Sequence, residues 1–160
     1  MRRKDKQTDT GFALELLKNC EYATLATTNP DSSPYAVPVS IVLEGQTVYL
    51  HCALLGKKLD NIAQNPRVCL SCVGHTRLLP QDFSTEFESA VATGRAAMVT
   101  DEGEKIHALR LICLKYAPSN MQAFDGEIAK MLSRTGVLKI EIESVTGKAT
   151  KKPKTSRSED

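Results

Sequence analysis

Gly56-Lys57-Lys58 is the segment with the clearest chemical reading in this sequence. Residues 47–66 pass from a β-branched, alternating stretch through a tight connection into a helical pattern, so the two lysines stand in the first turn of a helix. Cations there oppose the helix macrodipole by a few tenths of a kcal/mol up to about 1 kcal/mol each. A bound phosphate reverses that sign, because free backbone N–H groups, a glycine that permits close approach and two ammonium groups together form an anion seat. A solvated lysine pair following a glycine turn accounts for the same residues without a ligand.

Two further residues bear on what such a phosphate would belong to. His51 shares a strand face with Thr47 and Tyr49, while Val48, Leu50 and Cys52 take the opposite, more apolar face. The polar face is a candidate site wall, and His51 could donate a hydrogen bond or a proton there. A hydrogen-bonded structural histidine is the competing reading. Pro38 interrupts Tyr35-Ala36-Val37-Pro38-Val39-Ser40 and cannot donate to a sheet ladder, so this strand belongs at an edge. Backbone groups flanking Pro38 are then free to pair with the imide edge of a planar ring, or the strand is an ordinary sheet edge. His75, in a loop after the fourth strand, and His107, beside the apolar stripe of a helix, have no metal-ligand spacing with His51, and no metal site is expected.

Five cysteines form an odd set with no secretory signal, which argues for reduced thiols. Cys69 and Cys72 are three apart in a strand-like run and point to opposite faces, so they cannot easily chelate one metal or act as a helix-borne redox pair. Buried structural thiols are the plain reading of all five. The net charge of +2 resides at the chain ends, with +2 in each terminal ten residues and −2 in the body. Nucleic-acid binding needs positive charge on a folded face, so that class is excluded. No apolar stretch approaches the roughly 20 residues of a membrane span, and the basic start does not lead into a signal-peptide segment, so the expected compartment is the cytoplasm.

These residues need positioning elements. Asp9 or Thr10 caps a short helix with Phe12, Ala13, Leu16, Leu17 and Cys20 at helical spacing. Strands are expected at 22–28, 34–43, 47–52 and 67–73, with a short helix at 59–64 ended by Pro66. A long fifth strand covers 87–99 with a bulge or bend at Gly94. Two helices follow, capped by Asp101 with Glu104 and by Ser119 with Gln122, and the second has Met121, Phe124, Ile128 and Met131 on its stripe. A sixth strand begins at Gly136. One domain over residues 1–148 and a polar, disordered tail over 149–160 result. Six strands in mostly hairpin order predict a mainly β (α+β) fold, a six-stranded antiparallel split β-barrel of Greek-key character flanked by short helices.

The order of several segments resembles the FMN-binding split-barrel proteins, the pyridoxamine 5′-phosphate oxidase-like superfamily, and within it the nitroimidazole-resistance (Nim-like) branch. The matching segments are Met1-Arg2-Arg3-Lys4-Asp5, Tyr22-Ala23-Thr24-Leu25-Ala26-Thr27, Pro34 to Ser40, Tyr49-Leu50-His51-Cys52-Ala53 with Gly56-Lys57-Lys58-Leu59 and Asn65-Pro66. Glu88-Ser89-Ala90-Val91, Gly94-Arg95-Ala96, Glu104-Lys105, Ala108-Leu109 and the stretch from Ile140 to Thr146-Gly147-Lys148 complete them. The resemblance implies an FMN at a two-fold dimer interface, its phosphate held by Lys57 and Lys58 after Gly56. The ring would lie along Tyr35, Ala36, Val37, Pro38, Val39 and Ser40, with His51 near it and Ser89 contributing from the fifth strand. It further implies an oxidoreductase that draws electrons from NAD(P)H to reduce nitro-aromatic or quinone-like compounds, the alternative being a binding module for flavin, haem or a deazaflavin without turnover. The oxidase proper has arginine and lysine where Lys57-Lys58 stand, and a basic C-terminal segment that is missing here. These departures argue against vitamin B6 oxidation and leave FMN binding standing.

Overall fold

The computed structural model describes residues 3–150, and Met1, Arg2 and residues 151–160, which include most of the expected tail, lie outside the described residues. Helix α1 (Thr10–Asn19) starts where the Asp9 carboxylate accepts from the Phe12 amide at 2.8 Å. Strands β2 (Ala23–Thr28), β3 (Pro34–Val39), β4 (Val42–Glu44) and β5 (Thr47–Cys52) follow, then α2 (Lys57–Gln64), β6 (Arg67–Leu79) and β7 (Ser84–Met98). Helices α3 (Glu102–Tyr116) and α4 (Phe124–Met131) precede β8 (Gly136–Ala149), and a short β1 (Gln7–Thr8) pairs with the end of β8. All pairings are antiparallel, in the order β3-β2-β6-β7-β8-β5-β4.

The sheet curls so that inward side chains from β2, β5, β6, β7 and β8 share one core, with Leu25, Val48, Leu50, Leu70, Leu138 and Ile140 essentially fully buried. Each such side chain contributes on the order of 1.5–3 kcal/mol. Helix α1 plugs one side of this core with Ala13 and Leu17. The curl does not close by hydrogen bonding, since β3 and β4 form the two ends of the ladder and are joined only through Ser40 and Ile41. This is the split barrel expected from the strand order.

Six of the eight strands are the expected ones, and the other two are short. β1 is new, and the single strand expected over 34–43 is divided in two. The division has a cause 75 residues away: the Tyr116 hydroxyl accepts from the Ile41 amide at 3.0 Å and lies 2.8 Å from the carbonyls of Ile41 and Glu21, while Lys115 Nζ donates to the Ile41 carbonyl at 2.8 Å. These contacts satisfy the Ile41 backbone without a ladder, so the chain can switch from one sheet end to the other. Strand β6 runs well past residue 73, which places His75 in a strand rather than a loop, because β7 pairs with it as far as Leu79 opposite Ser84. Residues 118–123 form a 3₁₀ turn, and Ser119 makes no capping bond to α4. The Asp101 cap holds, accepting from the Glu104 amide at 2.7 Å.

At Gly94 the register with β8 slips between Thr93 and Gly94, leaving Glu143 as an extra residue. The expected irregularity is therefore a β-bulge, placed where a Cβ on Gly94 would sit 2.1 Å from the Glu141 carbonyl oxygen. At the other end of β8, Ala149 pairs with Glu88, and the Thr150 amide donates to the Phe87 carbonyl at 2.9 Å, so both belong to the folded body.

Candidate functional site

Helix α2 begins at Gly56, whose φ of 142° and ψ of 158° lie in a region that favours glycine. No side chain caps this end. The Gly56 carbonyl accepts from Leu59 and Asp60, which leaves the Lys57 and Lys58 amides without a protein acceptor among the described residues. A Cβ on Gly56 would meet nothing within 4 Å, so the approach to these amides is open. Neither lysine forms an ion pair among the described residues. The Lys57 ammonium lies 4.9 Å from the centroid of the Tyr35 ring, and the Lys58 charge acts on the Cys52 thiol. Burial pushes that thiol up, and the Lys58 charge pulls it partly back.

A buried polar network fixes this corner. Asn61, 2% exposed, donates through Nδ2 to Thr27 Oγ1 at 3.0 Å and to Asn29 Oδ1 at 2.9 Å. Thr27 Oγ1 reaches the Tyr35 carbonyl at 3.4 Å. The turn between β2 and β3 is held by Asp31, which accepts from the amide and hydroxyl of Ser33 at 3.0 and 2.6 Å. Those bonds hold the Asp31 carboxyl below its usual range, with the Lys57 charge adding a little. Helix α2 is thereby tied to β2 and, through the turn, to β3. Asn61→Ala leaves the Thr27 and Asn29 groups without their partner, and a loss of about 1–3 kcal/mol is expected in chemical denaturation. Unchanged stability would mean that the network does not hold the helix.

Strand β3 pairs with β2 alone, so the edge position expected from Pro38 holds. A proline is accommodated in a ladder only with its nitrogen turned away from the partner strand. By strand alternation, Ala36 turns its N–H and C=O to the same open side, between the carbonyls of Pro34 and Pro38. Tyr35, Val37 and Val39 are half-buried, while Pro34, Ala36 and Pro38 are exposed. Ser40 follows the strand at the switch into Ile41.

His51 is exposed near the end of β5, opposite Val137, at the rim of a cavity of about 300 Å³. Leu109, Ile112, Met121, Phe124 and Ile128 line it with Glu127. The polar wall expected from Thr47, Tyr49 and His51 is not formed. Tyr49 is 7% exposed beneath α3, and its hydroxyl donates to Glu104 at 3.2 Å, beside Lys139 Nζ at 3.0 Å from the same oxygen. Burial, followed by the Glu104 charge, raises the Tyr49 phenol. His107 contacts Glu44 at 2.9 Å and is not part of this cavity's lining. The cavity was not legible in the sequence, where its methionines and Phe124 read as core.

Ser89 lies elsewhere within one chain. It pairs with Val73 and Lys148 and borders a shallow groove with Val91 and Thr146. Val73 is six residue steps along β6 from Arg67, at the end where α2 packs, a span of about 20 Å. The chain thus brings together Tyr35, Gly56, Lys57 and Lys58, sets His51 at a separate cavity, and leaves Ser89 well along β7 from that corner. Among the described residues no cluster of three or more His, Cys, Asp or Glu side chains could hold a metal ion, and no helix is long and apolar enough to cross a membrane.

Known structures share this architecture. A protein from Bacteroides thetaiotaomicron VPI-5482 put forward as a 5-nitroimidazole antibiotic resistance protein is 25% identical, with a TM-score of 0.71 over 88% of this chain and 83% of that one. The FAD and heme binding protein from Mycobacterium smegmatis superposes with a TM-score of 0.77 at 19% identity, over 92% of this chain and 74% of that one. The flavocytochrome Anf3 from Azotobacter vinelandii gives 0.76 at 22% identity, over 96% and 73%. A comparison with curated protein sequences found no match. The family model described as pyridoxamine 5′-phosphate oxidase matches residues 9–149, nearly the whole folded body from the Asp9 cap to the end of β8, and on that match this split barrel belongs to the pyridoxamine 5′-phosphate oxidase family.

Proposed function

We propose that this protein is an FMN-dependent oxidoreductase that works as a homodimer and transfers electrons from NAD(P)H to small nitro-aromatic or quinone-like acceptors. The observation that carries the reading is the uncapped start of α2, where two amides and two lysines, without acceptors or ion pairs among the described residues, border an open approach beside Tyr35. That donor set fits a phosphate monoester. The free edge of β3 adds the Ala36 N–H and C=O side by side, a donor and an acceptor that can pair with one carbonyl and the N–H of an imide. The flavin, when bound, supplies the hydride and electron chemistry, and the protein binds, orients and shields it.

The dimer reading rests on the outward face of β6 and β7, where Val73 is 61% and Val91 39% exposed among small side chains. A two-fold axis crossing the strands in the plane between two such faces would set Ser89 of the partner subunit over the Lys57 corner, which one chain alone leaves incomplete. The family resemblance puts His51 near the ring, a position that one chain alone does not provide, and from there its imidazole would hold or deliver a proton. His51→Ala is expected to keep the flavin and lower turnover by roughly 100-fold, the low end of a general-acid contribution. Steady-state rates with unchanged flavin content are the check, and full turnover removes the role.

The test of the whole reading is the absorption spectrum of the purified protein, followed by NADH or NADPH under anaerobic conditions. Flavin bands that bleach with one flavin per chain of a dimer support it. Flavin bands that persist leave a binding module, a Soret band replaces flavin by haem, and a colourless protein that takes up no FMN ends the proposal.

A further inference from the structure

Helix α4 rests on α3 along a single ridge. Phe124, Ile128 and the following Leu132 recur at four-residue spacing, and each borders open space on two sides. One space is the cavity of about 300 Å³ with His51 at its rim, beside Leu109, Ile112 and Cys113 in the C-terminal half of α3. The other is a groove of about 640 Å³ along Glu102, Lys105 and Ile106 in the N-terminal half. The ridge is pinned at both ends. The Arg110 guanidinium carbon lies 4.2 Å from the Phe124 ring centroid, and its Nη2 donates to Asp125 at 3.0 Å. Lys105 Nζ donates to the Leu132 carbonyl at 2.6 Å, and the Thr135 hydroxyl donates to the Met131 carbonyl at 2.9 Å. A helix fixed in this way cannot settle onto α3 and fill the cavity, whereas protein interiors otherwise leave few voids larger than a water molecule.

The lining of the 300 Å³ cavity selects its occupant. No lysine or arginine among the described residues borders it, so an anion finds no counter-charge there. Its one carboxylate, Glu127, is already paired with Lys130 at 3.2 Å and has little pull left for a cation. The Thr135 hydroxyl is committed to Met131, while the exposed His51 ring has no side-chain or backbone partner among the described residues. A neutral molecule with one polar edge matches that set. Met121, Cys113 and Phe124 present polarizable and aromatic surface, which favours a flat ring over a flexible chain. An apolar cavity of roughly 150 Å³ holds one benzene ring, so about twice that volume admits two fused rings.

We infer that the cavity between α3 and α4 binds a neutral two-ring aromatic compound, its rings among Ile112, Met121, Phe124 and Ile128 and an oxygen at its edge accepting a hydrogen bond from the His51 ring. The site lies within one chain and fills without flavin or an electron donor. It therefore goes beyond the proposed electron transfer and stands without it.

The test uses the purified full-length protein with 1-nitronaphthalene and naphthalene as probes and no electron donor. Equilibrium dialysis should show one saturable site per chain for each. His51→Ala should weaken 1-nitronaphthalene by about twofold to tenfold, the equivalent of one neutral hydrogen bond, and leave naphthalene unchanged. Met121→Trp, which adds bulk from a half-buried position in the lining, should abolish saturable binding of both, with thermal melts to establish folding. Cys113, half-buried in the lining, reports the site in the unaltered protein and needs no variant. A probe at ten times its dissociation constant should slow alkylation of the tryptic peptide 111–115 by N-ethylmaleimide about tenfold. Peptide 68–77, whose Cys69 and Cys72 lie outside the cavity, should keep its rate. A colourless protein that binds both probes in this way would sink the flavin reading and leave the cavity site standing. No saturable binding, binding that leaves Cys113 unprotected, or equal weakening of both probes by His51→Ala would overturn the assignment. So would Cys113 protection that rises with protein concentration in the absence of a probe, since a second copy of the chain would then occupy the space.

Discussion

Replacing Lys57 and Lys58 together by alanine is expected to give a folded protein that no longer retains FMN. Lys57 is exposed and Lys58 half-buried, and neither has an ion-pair partner among the described residues, so the fold loses little with them. Removing two cations from the first turn of α2 even relieves a macrodipole penalty of a few tenths of a kcal/mol each. Ligand binding moves the other way. A hydrogen bond to a charged group contributes about 1.5–3 kcal/mol, so the pair accounts for about 3–6 kcal/mol, and FMN affinity should fall by about 100-fold to 10,000-fold. Titration with riboflavin, which lacks the phosphate, should give the same affinity for the variant and the parent. The opposite signs on stability and binding separate a phosphate seat from a structural role. A double variant that holds FMN as tightly as the parent would mean that the phosphate sits elsewhere and that the uncapped α2 start is only a solvated turn.

What could be read in advance was what local physics decides. The alternation of residues 47–52 matches β5 residue for residue, because one face packs into the barrel core. Asp9 and Asp101 cap their helices through their own side chains, three residues from the amides they accept from. Pro38 marks an edge because it lacks a donor. What could not be read depends on partners remote in the chain. Nothing near Ser40 and Ile41 breaks the strand; Tyr116 and Lys115 do, by taking over the Ile41 backbone. Tyr49 looked like part of an exposed wall beside His51 until α3 covered it and supplied Glu104. The stripe of Met121, Phe124 and Ile128 has core spacing, yet it borders a cavity, since periodicity reports which face turns inward and not whether that space is filled.

Gly94→Ala is expected to be among the most destabilising conservative changes in the molecule, and Gly126→Ala mildly stabilising. Gly94 sits at the bulge where β7 meets β8, and an added Cβ would lie 2.1 Å from the Glu141 oxygen and 2.9 Å from its carbonyl carbon. Those atoms are backbone in a strand paired on both sides, to β7 and to β5 at Thr47, so no flexible side chain can give way. Relief requires shifting the ladder, and a cost of about 3 kcal/mol or more follows, at the upper end of overpacking effects. For a domain of this size that lowers the melting temperature by about 6–12 °C. Gly126 is exposed within α4, and a Cβ there meets nothing within 4 Å. Alanine should add about 0.5–1 kcal/mol through helix propensity and a less flexible unfolded chain. Melting curves of the two variants test the register directly, because the same methyl group is added in each. If Gly94→Ala melts with the parent, Glu143 is not the bulged residue and the pairing of β7 with β8 differs from that described. The outward positions of both strands past the bulge, including Ser89 and Val91, would then be re-aimed, and with them the face proposed to join two protomers.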